Sequence, residues 1–253
     1  MANADSEAFV RTFARGLKVI EAMGRGGNHL TIADISEASD LPRTVVRRFL
    51  LTLIELAFVG TDGKHYWLTP KVLRLGMSYL YALPFWRQAH LVLEELAGHV
   101  GESCALSVLD EEDIVYIGRV HSKRILAMSP VMGSRFPAHV VAMGRVLLAS
   151  LPEEELDAYL GRMKLTRLTP WTITDRDELA NHIRAIREAG YAWVDRELDE
   201  SICGIAVPIR DAAGSVIAAI NVSLPAGLWD EEKAKQAFLV PLRQAAARIR
   251  SVS

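Results

Sequence analysis

The stretch SDLPRTVVRRFLLTL, residues 39–53, places three arginines beside a helical apolar stripe. Pro42 suits the first turn of a helix, where its missing N–H would have had no partner, and we expect the helix to run to about Leu56. Apolar residues recur at three- and four-residue steps, at Val46, Phe49, Leu50 and Leu53. The other face of the helix carries Arg43, Thr44 and Arg47. It is either a solvated basic surface or a binding surface, and the neighbouring segments decide between them.

Those neighbouring segments predict a winged helix-turn-helix. Residues 13–23 and 31–39 carry apolar residues at helical spacing, and Thr31 can cap the second helix. Residues 58–70 hold two extended pieces around Asp62-Gly63, a typical hairpin turn. The expected stripe of the first helix is Phe13, Leu17, Ile20 and Met23. The expected core of the three helices and the wing is Ile32, Ile35, Val46, Leu50, Leu53, Leu56 and Trp67.

In this arrangement the arginine helix is the recognition helix. Residues near its N-terminal end point into the DNA major groove, where arginine pairs with guanine and threonine touches a base edge or a phosphate. We therefore predict that Arg43, Thr44 and Arg47 contact DNA. Arg48 lies further round the helix and fits either a contact to the DNA backbone or a bracing role within the fold. Lys64 at the wing tip is a further candidate, with a purely structural hairpin as the alternative.

The charge distribution agrees with this placement. The 253 residues carry 29 Lys or Arg and 31 Asp or Glu, for a net charge of -2, which gives no whole-chain signature of a nucleic-acid binder. Residues 41–80, however, hold six basic and two acidic residues. The sequence has no apolar run of about 18 residues and no signal-peptide layout, so we expect a cytoplasmic globular protein. No disulfide is expected between Cys104 and Cys203 in that compartment.

Residues 70–82 form a fourth predicted helix. Because a winged domain is complete without it, we expect this helix to link two domains and to contribute Leu73, Met77 and Leu80 to a dimer contact. Packing within its own chain is the alternative. The predicted organisation is a winged helix-turn-helix DNA-binding domain over residues 1–69, a linker helix over residues 70–84 and an effector-binding domain over residues 85–253.

The region from residue 85 onward mixes helices and strands. Helices are predicted at 85–101, 139–151, 152–161, 175–190 and 230–252. Strands are predicted as a hairpin over 103–120 that turns at DEED, and at 124–130, 191–198, 202–211 and 215–224. An antiparallel sheet surrounded by helices makes this an α+β domain.

Catalytic sequence patterns are absent from the chain. The sequence contains no G-x-S-x-G, S-x-x-K, H-E-x-x-H or C-x-x-C, and no G-x-x-x-x-G-K phosphate loop. The seven histidines include no pair with convincing metal-ligand spacing. We therefore expect neither catalysis nor a metal or cofactor.

Three stretches carry a likeness to a known family. They are RGLKVIEAM at 15–23, GSRFPAHVVAMGRVLLASLPEEEL at 133–156 and IREAGYAWVDRELDESICGIAVPIRDAAGSVIAAINVS at 186–223. In these stretches and in the order of its elements the chain resembles the IclR family of bacterial transcriptional regulators over nearly its whole length. It is most similar to the PcaR, PcaU and PobR branch, which regulates aromatic-acid breakdown through protocatechuate and β-ketoadipate. The resemblance implies an N-terminal winged helix-turn-helix, a linker helix and a GAF-like effector domain, in a homodimer or homotetramer.

The resemblance also implies a pocket for a small carboxylate. The backbone amides of Ala142 and Met143, at the start of the helix after GSRFPAH, would meet the acid group, where the helix dipole favours an anion. The other residues that the resemblance places in the pocket are Val194, Ile202, Cys203, Gly204, Asn221 and Ser223. Val194 and Gly204 stand where some small-acid binders have aspartate and cysteine, which implies a roomier and less polar pocket.

Several of these positions have a plainer interpretation. Asn221 and Ser223 could face solvent on an open sheet, and Cys203 could be a small buried side chain without a chemical role. His139 is expected at the helix start, as a cap neighbour or a pocket wall.

Three arginines could pair with a second carboxylate of the effector: Arg119, Arg124 and Arg135. Of these, Arg135 is the one we place in the pocket, because it lies in the loop before the helix.

The sequence thus predicts a regulator that binds double-stranded DNA and senses protocatechuate, 4-hydroxybenzoate or β-ketoadipate. One alternative is an IclR-type regulator of another small-acid catabolic pathway. The other is an effector-binding module that uses its helix-turn-helix for protein contacts.

Overall fold

The computed structural model describes residues 8–122 and 130–250. The chain forms two compact units, with the division between Ala82 and Leu83. Arg124 and nearly all of the strand predicted at 124–130 lie outside the described residues.

Three helices and a two-stranded wing form the first unit. Their bounds are Arg11–Arg25 (α1), Ile32–Ser39 (α2), Arg43–Glu55 (α3), Val59–Thr61 (β1) and Tyr66–Leu68 (β2). The two strands pair antiparallel. One apolar core joins these elements, formed by Val19, Met23, Leu30, Ile35, Val46, Leu50, Leu53 and Val59. The predicted winged helix-turn-helix is confirmed.

Short-range polar contacts define the helix-turn-helix. The N–H of Thr31 donates to Asp34 Oδ2 at 2.8 Å and the N–H of Asp34 donates to Thr31 Oγ1 at 3.3 Å, a reciprocal capping box that begins α2. The helix ends at Asp40, whose φ of 52° is left-handed. The Ser36 hydroxyl donates to the carbonyl of Leu41. These contacts hold the tight turn that leads α2 into α3.

Some of the predicted core residues lie at the surface. Leu56 is 51% exposed because α3 ends at Glu55 and Leu56 is its C-cap residue. Trp67 is half-buried and lies across Gly60, where a Cβ would come within 2.4 Å of the indole nitrogen. Phe13 and Leu17 are exposed, because the first turns of α1 extend beyond the core. The buried positions of α1 are Val19, Ala22 and Met23.

The predicted linker helix consists of a 3-10 helix, Pro70–Val72, followed by α4, Leu73–Ala82. Leu73 is exposed and Met77 is half-buried, whereas Leu80 is buried. Leu80 is therefore not available for the dimer contact that the sequence suggested for it.

A six-stranded antiparallel sheet with flanking helices forms the second unit, which confirms the predicted α+β class. The strands lie in the order β5-β4-β3-β8-β7-β6. Their bounds are Ser103–Asp110 (β3), Asp113–Val120 (β4), Arg135–Pro137 (β5), Ala192–Asp195 (β6), Ile202–Arg210 (β7) and Val216–Pro225 (β8). The helices are Trp86–Val100 (α5), Ala142–Leu148 (α6), Glu153–Arg162 (α7), Arg176–Ala189 (α8) and Glu231–Arg250 (α9).

Helix α6 begins later than the sequence predicts. A 3-10 helix, Ala138–Val140, comes first and Val141 is extended, so that α6 spans only Ala142–Leu148. All seven of its residues are buried, and α6 packs on both the sheet and α8. Its backbone approaches the 3-10 helix closely, because a Cβ on Gly144 would lie 2.0 Å from the carbonyl oxygen of Ala138.

Among residues 8–122 and 130–250, no helix is long and apolar enough to cross a membrane.

We expect Gly144→Ala to lower the free energy of unfolding by about 1–3 kcal/mol, because the new methyl group must displace the backbone of Ala138. Gly161→Ala in α7 is the matched control, since a Cβ there meets nothing within 4 Å. The control should be neutral or stabilising by up to about 1 kcal/mol. Denaturant titration measures both, and equal stabilities would contradict the close contact at Gly144.

Candidate functional sites

The first candidate site is the exposed face of α3. Arg43, Thr44, Arg47 and Arg48 are all exposed, while Val46 on the same helix is fully buried. Within the described part of the chain, none of the three arginines forms an ion pair or a side-chain hydrogen bond. Arginine side chains on a domain surface without acidic partners are free to bind an anionic polymer.

The wing tip is ordered by one aspartate. Asp62 Oδ1 accepts hydrogen bonds from the backbone N–H of Lys64 at 2.9 Å and of His65 at 2.7 Å, and Asp62 Oδ2 lies 3.0 Å from His65 Nδ1. The backbone and side-chain hydrogen bonds from His65, followed by the bond from Lys64, hold the pKa of Asp62 well below its usual range. The Lys64 side chain is exposed at the tip of this turn.

The second candidate site is a cavity of about 540 Å³, including its open mouth, in the second unit. Strands β4, β6, β7 and β8 contribute to its wall, together with the start of α6. Eight of the ten residues that the sequence assigned to an effector pocket line it: Ala142, Met143, Val194, Ile202, Cys203, Gly204, Asn221 and Ser223. Their role in binding an effector stays a prediction.

The start of α6 brings backbone donors to this cavity. The N–H of Arg145 donates to the carbonyl of Val141 at 3.0 Å, which is the first hydrogen bond of the helix. The N–H groups of Ala142 and Met143 precede that bond and have no acceptor within the helix. Both residues line the cavity.

Asn221 and Ser223 contribute buried polar groups. They are only 6% and 7% exposed, which contradicts the interpretation that they face solvent. The amide Nδ2 of Asn221 donates to Ser223 Oγ at 3.1 Å. The Oδ1 atom of Asn221 is buried and accepts no hydrogen bond from any described residue. A buried acceptor without a donor is costly unless a ligand or water supplies one.

Cys203 has the environment of an inert thiol. It is 2% exposed, and burial, with a smaller contribution from Asp195, raises the pKa of its thiol to about 12. Cys203 is therefore a small apolar wall of the cavity and not a nucleophile.

Arg135, which the sequence placed in the pocket, is not among the residues that line the cavity. It forms ion pairs with Asp110 and with Asp113, the latter at 3.1 Å between Nε and Oδ2. The hydrogen bond to Asp110 is the main reason that the pKa of Arg135 is raised. The guanidinium that the sequence assigned to a ligand is thus paired with two aspartates of the β3–β4 hairpin.

His139 is also absent from the lining. It lies in the 3-10 helix before α6 and is 3% exposed. Neither ring nitrogen has a hydrogen-bond partner among the described residues. Burial, and then the charge of Arg145, lower the pKa of the imidazole to about 4. His139 is a buried neutral side chain and not a pocket wall.

The cavity contains an arginine to which the sequence analysis gave less weight. Arg119 lines the cavity beside Tyr116, with its guanidinium carbon 5.8 Å from the centre of the Tyr116 ring. Burial lowers the pKa of Arg119. Its Nε lies 3.4 Å from His121 Nδ1, and it has no carboxylate partner in the described chain. The alternation of side chains along β4 could have suggested that Arg119 faces the cavity. It could not have shown that no described carboxylate lies beside it.

Glu197 was missed as a cavity residue, and it is bound to a buried arginine. Arg145 Nη2 donates to Glu197 Oε2 at 2.6 Å, and the two side chains are 1% and 7% exposed. Burial raises the pKa of Glu197 and lowers that of Arg145, while their mutual attraction opposes both shifts. Nothing in the local sequence of either residue indicates this pair, which spans 52 positions.

No cluster of three or more His, Cys, Asp or Glu side chains that could hold a metal ion occurs among the residues that the structure describes.

Family comparisons agree with this two-part architecture. Residues 12–63 match the IclR helix-turn-helix domain, and residues 77–251 match the bacterial transcriptional regulator IclR C-terminal domain. The chain belongs to the IclR family. Members of the IclR family are transcriptional regulators and not enzymes, and this chain is therefore a transcriptional regulator.

Among curated IclR proteins, the chain is 40% identical to the Pca regulon regulatory protein of Pseudomonas putida, over 95% of this chain and 82% of that one. It is 34% identical to the p-hydroxybenzoate hydroxylase transcriptional activator of Acinetobacter baylyi, over 85% of this chain and 82% of that one. The regulator KdgR of Escherichia coli is 33% identical over 98% of this chain and 96% of its own length.

Two solved structures have the same fold. A protein from Rhodococcus sp. RHA1 is 44% identical with a TM-score of 0.87, covering 96% of this chain and 98% of its own. An IclR homologue from Microbacterium hydrocarbonoxydans, complexed with 4-hydroxybenzoate, is 26% identical with a TM-score of 0.83, covering 95% of this chain and 98% of its own.

The buried imidazole of His139 should make stability depend on pH. Its pKa is about 4 in the folded chain, against an ordinary value of 6.5. The unfolded chain therefore takes up a proton first as the pH falls, and stability is lost between pH 6.5 and about pH 4. We expect His139→Leu to weaken this pH dependence, measured as unfolding free energy at several pH values. The exposed His99→Leu variant is the control, and a wild-type slope in His139→Leu would contradict the assignment.

Proposed function

We propose that this chain regulates the catabolism of an aromatic acid and that the cavity in its second unit binds the small carboxylate that controls it. The candidates are protocatechuate, 4-hydroxybenzoate and β-ketoadipate. The observation that carries the proposal is Arg119, a half-buried guanidinium in the cavity wall without a carboxylate partner in the described chain.

The charges around the cavity favour an anion. Arg145 and Glu197 neutralise each other at 2.6 Å, so Arg119 is the charge of the lining that no described carboxylate compensates. A partly buried cation is stabilised when an anion binds beside it, because the local dielectric is lower than that of water. An acid that enters this cavity therefore supplies the missing counter-ion of Arg119.

The apolar part of the lining suits an aromatic ring. Val194, Ile202 and Cys203 form apolar walls, and Gly204 leaves space beside them. Apolar walls with a few convergent polar groups are the usual composition of a small-molecule site. The N–H groups of α6 and the side chains of Asn221 and Ser223 would then bind the polar substituents of the ligand.

The relatives support the same pathway. Two of them are named for the Pca regulon and for p-hydroxybenzoate hydroxylase, and one structural neighbour is complexed with 4-hydroxybenzoate. The KdgR relative, whose name does not refer to aromatic acids, supports the alternative that the chain controls another pathway.

We expect at least one of the three acids to raise the melting temperature, and pyruvate and glyoxylate to have little effect. A ligand at a hundredfold excess over its Kd stabilises the folded state by about 2.7 kcal/mol. Arg119→Met should abolish the rise, because the counter-charge for the carboxylate is removed. Arg135→Met is the matched control, since it removes an arginine of the same domain that pairs with Asp110 and Asp113 outside the cavity. If no acid shifts the melt of the wild type at millimolar concentration, the pathway proposal fails.

We propose further that α3 reads the operator through Arg43, Thr44 and Arg47, with Arg48 and Lys64 on the DNA backbone. The support is the exposure of these side chains and the absence of acidic partners for the arginines of α3 among the described residues. We also propose a cytoplasmic location, because a bacterial regulator must reach the DNA that it binds. An exclusive role of this unit in protein contacts is the rival interpretation.

Arg47→Ala should weaken binding to the specific operator by about 1–3 kcal/mol and leave the salt-sensitive background binding largely intact. Arg25→Ala removes an equal charge from the exposed end of α1 and serves as the control. Gel-shift titrations against operator and unrelated duplexes measure both. Unchanged operator affinity in Arg47→Ala would favour the rival role in protein contacts.

We propose that residues 1–69 bind DNA, that residues 70–84 form a linker helix and that residues 85–253 bind the effector. We propose a homodimer or homotetramer as the working form. The support is the exposed apolar surface of α4 at Leu73 and Leu75, which are 66% and 51% exposed. A dimer would also place two recognition helices on two half-sites.

A further inference from the structure

The two carboxylate oxygens of Glu197 have different environments. Oε2 accepts hydrogen bonds from Arg145 Nη2 at 2.6 Å and from the backbone N–H of Ile173 at 3.1 Å. Oε1 accepts none from the residues that the structure describes. Glu197 belongs to the cavity lining, and only one of its two oxygens is engaged by the described residues.

The orientation of this carboxylate is fixed from several sides. Arg145 also donates through Nε to the carbonyl of His139 at 2.8 Å, and its Nη1 lies 2.9 Å from His182 Nδ1. The backbone of the Glu197 segment is held as well, because the Thr172 hydroxyl donates to the carbonyl of Glu197 at 2.8 Å. The Glu197 side chain therefore cannot rotate without breaking its hydrogen bonds to Arg145 and to the backbone of Ile173.

An oxygen in this setting requires a hydrogen-bond donor from its ligand. A charged acceptor forms stronger hydrogen bonds than a neutral one, and a second carboxylate or a keto oxygen placed against it would be repelled. The buried Oδ1 of Asn221 also lacks a donor among the described residues and therefore also favours a ligand with a hydrogen-bond donor. Arg119, in contrast, favours an anionic group.

Resting on the proposed function, we propose that the effector is an acid that also carries a hydroxyl group, of the hydroxybenzoate class, and that its hydroxyl donates to Oε1 of Glu197. Of the three candidates, 4-hydroxybenzoate and protocatechuate meet both demands. β-Ketoadipate offers two carboxylates and a ketone, and has no hydroxyl to donate. Arg145 acts as a positioning residue, because it orients Glu197 without touching the ligand.

Calorimetric titration of the wild-type protein tests this with a matched ligand series: 4-hydroxybenzoate, 4-fluorobenzoate, benzoate and β-ketoadipate. Fluorine resembles the hydroxyl in size but donates no hydrogen bond. We expect 4-hydroxybenzoate to bind at least about tenfold more tightly than the other three, which is the usual loss when a charged acceptor is left without its donor.

Glu197→Gln links that preference to the carboxylate. Its amide oxygen can replace Oε2 toward Arg145 and Ile173, which leaves an NH2 group in place of Oε1. The ratio of 4-fluorobenzoate Kd to 4-hydroxybenzoate Kd should then fall to within about threefold of unity. Glu153→Gln is the control, because it removes a surface carboxylate paired with Arg184 and Arg187, and it should keep the wild-type ratio.

The outcomes are distinguishable. Equal affinity of the wild type for 4-hydroxybenzoate and 4-fluorobenzoate, or tighter binding of β-ketoadipate, overturns this inference and leaves the proposed acid-binding function standing. A wild-type ratio in folded Glu197→Gln overturns the assignment to Glu197. If none of the acids binds the wild type, both the inference and the proposed function fail. Should Glu197→Gln not fold, the ligand series on the wild type still decides the hydroxyl requirement.

Discussion

The second unit depends on a guanidinium that water does not reach. Arg145 is 1% exposed, so each of its three side-chain nitrogens must find an acceptor inside the protein. It finds them on the 3-10 helix before α6, on α8 and on the segment after β6. These segments are far apart in sequence, and the position of each is set by the same planar group. The cavity wall lies directly on this network, because Glu197 belongs to both.

The structure uses arginine in three ways that differ in solvation and pairing. On α3 the guanidinium groups are exposed and unpaired among the described residues, which suits a polyanion that brings its own counter-ion atmosphere. Arg119 is half-buried and has no carboxylate partner among the described residues, which suits a single small anion. Arg145 is buried and paired with Glu197, so it stabilises the fold and does not bind a ligand. The residue type is the same in each case, and the environment determines its role.

The sequence predicted what local signals encode. The cap at Thr31, the turn before Pro42 and the hairpin around Asp62 involve residues within a few positions of one another, and the winged helix-turn-helix was predicted from them. Leu56 was misplaced because helical periodicity does not reveal where a helix ends. In the second unit, eight of the residues that the resemblance assigned to a pocket line one cavity. The resemblance could not anticipate that Asp110 and Asp113 would form ion pairs with Arg135. Ion pairs such as Arg145–Glu197 join positions that only the folded chain brings together.

A substitution at Gly204 could change the size of ligand that this cavity accepts during evolution. It lies on β7 in the cavity lining, and a Cβ at this position would lie 3.2 Å from the carbonyl oxygen of Val222 and 3.8 Å from Asn221 Nδ2. A small side chain there requires the backbone of Val222 on the neighbouring strand to move by a few tenths of an ångström. One nucleotide substitution in a glycine codon can produce alanine, and certain glycine codons can produce cysteine in a single step. A gene duplicate could thus acquire a narrower cavity while its DNA-reading unit remains unchanged.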